Sequence, residues 1–180
     1  ECTTEDMTPY EKELAIHDSF AKAVEYDYGE LDALEEHSPD SETPYGALVL
    51  NKAVCTGYAV TFRLLMEMCG IRCQLVEGTN LKGNEHLWNK VKLDDEWYGV
   101  DITWDDIHTD TGDLFVRHRF FNCTDEFFAE HDHEWDDYDY PDATGTKYSC
   151  SNQNAAPVFT LEDLDALVKE NAGKGFGEAV

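Results

Sequence analysis

Three side chains of complementary chemistry follow one another along the chain. Cys55 lies in Ala53-Val54-Cys55-Thr56-Gly57-Tyr58-Ala59, His86 in Glu85-His86-Leu87-Trp88-Asn89, and Asp101 in Trp97-Tyr98-Gly99-Val100-Asp101-Ile102-Thr103-Trp104. A thiol, an imidazole and a carboxylate are the parts of a cysteine acyl-transfer site. The thiolate attacks an acyl carbon, the imidazole takes and returns a proton, and the carboxylate fixes the ring tautomer and stabilises imidazolium. Periodicity places Cys55 at a helix start, where free N–H groups and the positive end of the dipole favour the thiolate. The backbone N–H of Cys55 is there a candidate oxyanion donor, and Gly57 leaves room near the sulfur. Asn51, Tyr45 and Trp88 are candidates for lining the cleft or supplying a second oxyanion donor.

The elements that must position these groups are legible in outline. Thr8-Pro9-Tyr10-Glu11 carries a capping residue, a proline for the first helical position and a capping-box glutamate. Tyr10, Leu14, His17, Phe20, Ala21 and Val24 follow at helical spacing, with Gly29 as the stop and His17 as a buried, hydrogen-bonded histidine. Residues 29–44 read as a loop and 45–50 as a short helical turn. Residues 54–68 read as a helix that Gly70 terminates. Strands are expected over 71–77, 86–91, 97–104 and 117–122, with a loop at 78–84, and Thr124 opens a helix. Residues 131–157 read as a long acidic excursion, before a last short helix over 160–173. Helices first and an antiparallel sheet after make an α+β layout.

The hairpin permits a register argument. A four-residue turn over 92–95 pairs Val91 with Glu96 and sets His86 directly opposite Asp101, on one face. The same count sets Trp88 opposite Gly99, which gives the indole space, and Lys90 opposite Trp97 as a cation–π pair. Leu87 and Val91 then share the other face with Tyr98, Val100 and Ile102, and that face is the expected core.

With 180 residues, the chain suits a single domain that buries roughly 70% of its unfolded surface. The formal charge of -26 repels phosphate backbones, excludes nucleic acid as a partner, and favours cationic substrates. No apolar run approaches the ~18 residues of a membrane span. Of six cysteines, a nucleophilic Cys55 leaves an odd number, so at most two disulfides form. Cys69 and Cys73 leave a local bridge open. The cysteines make no paired CxxC knuckles for structural zinc. His131-Asp132-His133 with Glu134, Asp136 and Asp137, and the group Asp105, Asp106, Asp110 and Asp113, fit no EF-hand spacing and read as solvated acidic loops. No metal and no cofactor is expected, and the location expected is extracellular or at the surface of a bacterial cell.

The three blocks around Cys55, His86 and Asp101 resemble the bacterial transglutaminase-like family, within the papain-like cysteine peptidase and acyltransferase superfamily. The resemblance extends upstream over Tyr10-Glu11-Lys12-Glu13-Leu14-Ala15-Ile16-His17-Asp18 and downstream to Phe120-Phe121 and the helix after it. It thus covers a core of about 8–131 within a single domain of 1–180, leaving 132–180 as an acidic excursion and C-terminal helix. It implies a papain-like, transglutaminase-core fold, with N-terminal helices, the nucleophile at a helix N-terminus and an antiparallel sheet beneath. It also implies a Cys-His-Asp triad on Cys55, His86 and Asp101. The family's members include protein crosslinkers, amide hydrolases, peptidases and scaffolds that have lost the triad. The expected activity is therefore acyl transfer or amide hydrolysis on peptide or protein amides through a thioester. The alternatives are a cysteine protease of the same superfamily and a non-catalytic surface binding module.

Overall fold

A computed structural model describes residues 2–29, 37–106, 116–136 and 140–149. Helix α1 (Pro9–Ala23) begins as its sequence dictates. The Thr8 hydroxyl accepts from Glu11 N at 3.3 Å, and the Glu11 carboxylate accepts from Thr8 N at 2.7 Å. The helix ends six residues before Gly29 because Val24 turns extended and strand β1 (Glu25–Tyr26) finds a parallel partner in β2 (Lys52–Ala53). Tertiary pairing overrides helical spacing there, and the Tyr58 hydroxyl packs on the turn, 3.1 Å from the Val24 carbonyl oxygen. The expected turn over 45–50 is present as a wide helical turn, Gly46–Leu50, which Asn51 ends at φ 57°. Asn tolerates that left-handed geometry better than most residues.

Helix α2 (Cys55–Met68) follows, closed by Gly70 at φ +74°. Strands β3 (Arg72–Thr79), β4 (Glu85–Leu93) and β5 (Glu96–Val100) form an antiparallel meander, and β6 (Glu134–Trp135) pairs with β3, for a sheet order β5-β4-β3-β6. Both faces of the sheet are covered. One packs Val91, Leu93, Tyr98 and Val100 against Phe20, Tyr58, Phe62 and Met66. The other packs Val76 and Trp88 against Phe120, Cys123 and Phe128. The expectation of one core face is thus corrected to two.

The hairpin register also differs from the count. The turn is two residues, Asp94-Asp95, with Asp94 at φ 47°, and Leu93 pairs with Glu96. The shift is two residues, and side chains alternate with period two, so every side chain keeps its predicted face. His86 is not directly opposite Asp101 but lies diagonally from it on the same face. Lys92 faces Trp97, while Lys90 faces Gly99 and holds its ammonium 5.2 Å from the Trp135 ring and 2.8 Å from Asp125. Room for Trp88 comes from Gly78, where a Cβ would stand 2.6 Å from the indole; a Cβ at Gly99 would meet Phe128.

Strand β5 stops at Val100 because Asp101 caps the short helix α3 (Ile102–Asp105), its Oδ1 accepting from Trp104 N at 3.2 Å. Residues 117–122 form no strand; the neighbouring Cys123 makes an isolated bridge to Gly99, and Phe120 O accepts from Asp101 N at 3.0 Å. Thr124 caps helix α4 (Asp125–Glu130), as its sequence requires. Cys2, Cys55, Cys69, Cys73 and Cys123 are free thiols, so Cys69 and Cys73 make no bridge. Cys150, residues 137–139 and the helix expected over 160–173 lie outside the described residues.

Candidate active site

Cys55 occupies the first turn of α2, whose N-cap is Val54. A valine has no side-chain acceptor, so the helix start carries no side-chain cap and its N–H groups remain available to an anion. The residue before the cysteine is anchored by a hydrogen bond from Val54 N to Ser41 O at 3.0 Å. Gly57 permits this close approach: a Cβ there would stand 2.1 Å from Ser41 O. Its missing side chain therefore accommodates backbone, a correction to the expectation that it makes space beside the sulfur.

Strand β4 brings His86 to the same place. His86 is 8% exposed. Its Nε2 donates to Asp101 Oδ2 at 2.6 Å, and the residue lines the same cleft as Cys55. With Nε2 committed to the carboxylate, Nδ1 is the ring nitrogen left for another partner. Burial alone raises the Cys55 pKa, but the hydrogen bond and charge of His86, with the N–H groups of Leu87 and Thr56, bring it below the ordinary thiol value. Burial pulls His86 down, yet Asp101 and Cys55 together push it up to about 10. Burial also raises Asp101, and the charges and hydrogen bonds of His86 and His133 outweigh it, holding the carboxyl below its usual range. All three shifts favour a thiolate–imidazolium–carboxylate chain.

His133 is the member that sequence reasoning missed. Its polar neighbours predict a solvated acidic loop, but it is 1% exposed and its Nε2 lies 3.0 Å from Asp101 Oδ2. The available signal was Trp135, two residues on, which marks the segment as one that returns to the core. The other acidic group is corrected too. Asp105 is fully buried, accepts from Phe120 N at 3.0 Å and 3.2 Å, and faces His17 Nε2 across 3.4 Å. Asp106 accepts from the Tyr58 hydroxyl, and Asp110 and Asp113 lie outside the described residues. His17 is buried as expected.

A cleft of about 610 Å³ opens on Cys55 and His86. Its wall includes Trp104 and Tyr26, and Glu25, Glu85 and Asp106 give it an acidic rim. Trp88 stands behind His86, ring centroids 5.8 Å apart, and fills the core rather than the cleft. Tyr45 and Asn51 are exposed on the wide turn before β2 and do not line this cleft. Among the described residues, the donor atoms of His17, Asp18 and His118 and those of His86, Asp101 and His133 each converge within 4.8 Å, close enough to hold a cation. In both sets the donors already hydrogen-bond one another.

A thiol at an uncapped helix start, set against an imidazole on an antiparallel sheet, is the arrangement of the papain-like class of α+β domains. The chain itself belongs to the transglutaminase-like superfamily, whose family model matches residues 1–102. The human protein named "Kyphoscoliosis peptidase" is 28% identical over 135 residues, covering 69% of this chain and 19% of that protein. Its mouse counterpart is 28% identical over 124 residues, covering 61% of this chain and 18% of its own length. The chain thus spans under a fifth of these curated relatives. A solved structure described as a TGase superposes with a TM-score of 0.47 at 22% identity, over 63% of this chain and 30% of its own.

Proposed function

We propose that this domain is a cysteine-dependent acyltransferase or amide hydrolase acting on peptide or protein amides. Cys55 attacks the amide carbon, and the N–H groups at the start of α2 receive the developing oxyanion. His86 then protonates the departing amine, leaving a thioester on Cys55. An incoming amine or water resolves it, with His86 taking the incoming proton, and the thiolate is regenerated. Asp101 keeps His86 in the tautomer that presents Nδ1 to the sulfur. One observation carries the reading: Cys55, at an uncapped helix start, shares the wall of an open cleft with His86, whose Nε2 donates to Asp101 Oδ2 at 2.6 Å.

The test is the rate of iodoacetamide alkylation of each cysteine against pH, in the wild type and in His86→Ala. Cys55 is expected to react fastest at mildly acidic pH and to lose that advantage in the variant. Alkylation of Cys55 with an ordinary thiol pKa near ~8.5 would falsify the proposal. Buried Cys73, whose pKa burial pushes well up, serves as the slow internal comparator. Incubation with a glutamine donor and a fluorescent amine then separates transfer from hydrolysis.

The acidic rim and the -26 charge favour substrates with basic groups near the reacting amide. The expected signature is a kcat/KM for lysine-rich peptides that falls several-fold between about 0.05 and 0.5 M salt, as screening shortens the reach of the rim. Equal salt sensitivity for a neutral peptide of the same length removes the preference.

A further inference from the structure

Among the described residues the ring of His133 has two hydrogen-bond partners, and both are acceptors. Nδ1 lies 2.9 Å from the carbonyl of His131, and Nε2 lies 3.0 Å from Asp101 Oδ2. A carbonyl has no proton to give, and the carboxylate oxygen already accepts from His86 at 2.6 Å. Both ring nitrogens of His133 must therefore donate, and a ring that donates twice is an imidazolium. Its surroundings suit a cation. The ring is enclosed by Trp104 at 4.4 Å, Phe128 at 4.5 Å, Trp88 at 4.9 Å and Phe120 at 5.3 Å between centroids. Rings at such distances keep water from the imidazole, and aromatic neighbours are compatible with a desolvated positive charge.

The backbone holds the ring in that box from both sides. His133 N donates to Phe128 O at 3.2 Å, Asp132 Oδ1 accepts from Leu81 N at 2.7 Å, and the next two residues are strand β6 on β3. His133 lies beyond the residues that the family model matches.

We propose that His133 is a fourth member of the site, a positioning residue whose buried imidazolium locks the Asp101 carboxylate in place and shares its negative charge with His86. The proposal rests on the catalytic reading of Cys55, His86 and Asp101. With thiolate, two imidazoliums and carboxylate, the buried set carries no net charge, so it can be formed away from water at lower cost than an unbalanced triad. Sharing also moderates His86. A carboxylate that served His86 alone would hold its proton more tightly and slow its delivery to the leaving amine. Among the described residues, the charged or titratable groups around this set are Cys55 from α2, His86 and Glu85 from β4, Asp101, Asp105 and Asp106 along α3 and its C-cap, and Glu25 and Tyr26 from β1.

The test uses the full chain and begins with the wild type. Ring-nitrogen NMR is expected to show His133 doubly protonated at pH 7, and a neutral tautomer overturns the proposal. Cys55 alkylation against pH is then compared in His133→Gln, which keeps an uncharged donor, and His133→Phe, which keeps a ring in the aromatic box. Loss of a cation whose ring centre is 5.5 Å from that of His86 should move both steps of the profile, thiol ionisation and later loss of the His86 proton, to higher pH. The expected shift is about one to two units at an effective dielectric of roughly 20. A profile for folded His133→Gln that superposes on the wild type overturns the proposal, and this variant decides the matter if His133→Phe does not fold. Should wild-type Cys55 itself react as an ordinary thiol, the catalytic reading fails, while the ring-nitrogen spectrum still judges the charge of His133.

Discussion

Asp101 carries two duties on one carboxylate. Oδ2 accepts from both histidines, and Oδ1 caps α3 through Trp104 N. The duties can be separated, because asparagine caps a helix about as well as aspartate but carries no charge. In Asp101→Asn the cap is kept, both histidines release their extra protons, and fast Cys55 alkylation at mildly acidic pH falls to the His86→Ala level. Asp101→Ala loses that reactivity too, and gives up a further ~0.5–2 kcal/mol of stability at pH 8 with the cap. Urea unfolding of both variants at pH 8 checks the difference; equal midpoints would remove the capping duty. This double use explains why β5 ends at Val100, four residues before the strand end expected at Trp104.

At the scale of elements, much of the site was legible in the sequence. The start of α1, the span of α2 and the shared face of His86 and Asp101 follow from local rules: a capping box, a 3.6-residue period and a 2-residue period. The face survived a wrong turn length because the error was an even number of residues. What local rules could not supply was tertiary. α1 ends where β1 meets β2, 27 residues on by register (Glu25 with Lys52). His133 is buried by rings from β4, α3, α4 and the segment before it, none of which its own polar neighbours announce. The role of Gly57 was likewise hidden, since Ser41 is distant in sequence. Gly57→Ala should cost at least about 1–3 kcal/mol by overpacking and, by displacing Val54 from Ser41 O, slow Cys55 alkylation severalfold. Gly70→Ala, strained by its positive φ but with open space around it, should lose only about 1–2 kcal/mol and leave the alkylation rate alone. Loss of reactivity in both variants would mean that α2 as a whole, and not its anchored start, governs the thiol.

At the scale of the molecule, a surface rich in carboxylates encloses a carboxyl that is kept neutral. Glu13 on α1 is fully buried and accepts from Asn122 Nδ2 at 3.0 Å, joining segments 109 residues apart. Its Oε1 and Asn122 Oδ1 are both buried acceptors without a donor. One proton on Oε1 can resolve both, closing an acid–amide pair. Burial pushes the Glu13 pKa up to about 8, against the opposing pull of Asn122 and His17. The unfolded chain releases that proton near ~4.3. Between these values the native state binds more protons than the unfolded state, so stability falls as pH rises, by up to about 1.4 kcal/mol per unit. Glutamine offers the same pair of bonds with no proton to lose. Glu13→Gln should therefore match the wild type near pH 4, pull ahead through neutrality and hold its lead above pH ~8. His17 also titrates, raised by Asp105 and Asp18 against its burial, but it does so in both proteins, and the difference between their curves isolates Glu13. Urea unfolding at half-unit steps of pH reads that difference directly; parallel curves between pH ~5 and ~8 would mean that Glu13 is ionised in the fold. A lead for the glutamine variant would place part of this molecule's alkaline sensitivity at one buried proton between α1 and the strand-bridging segment, remote from the cysteine site.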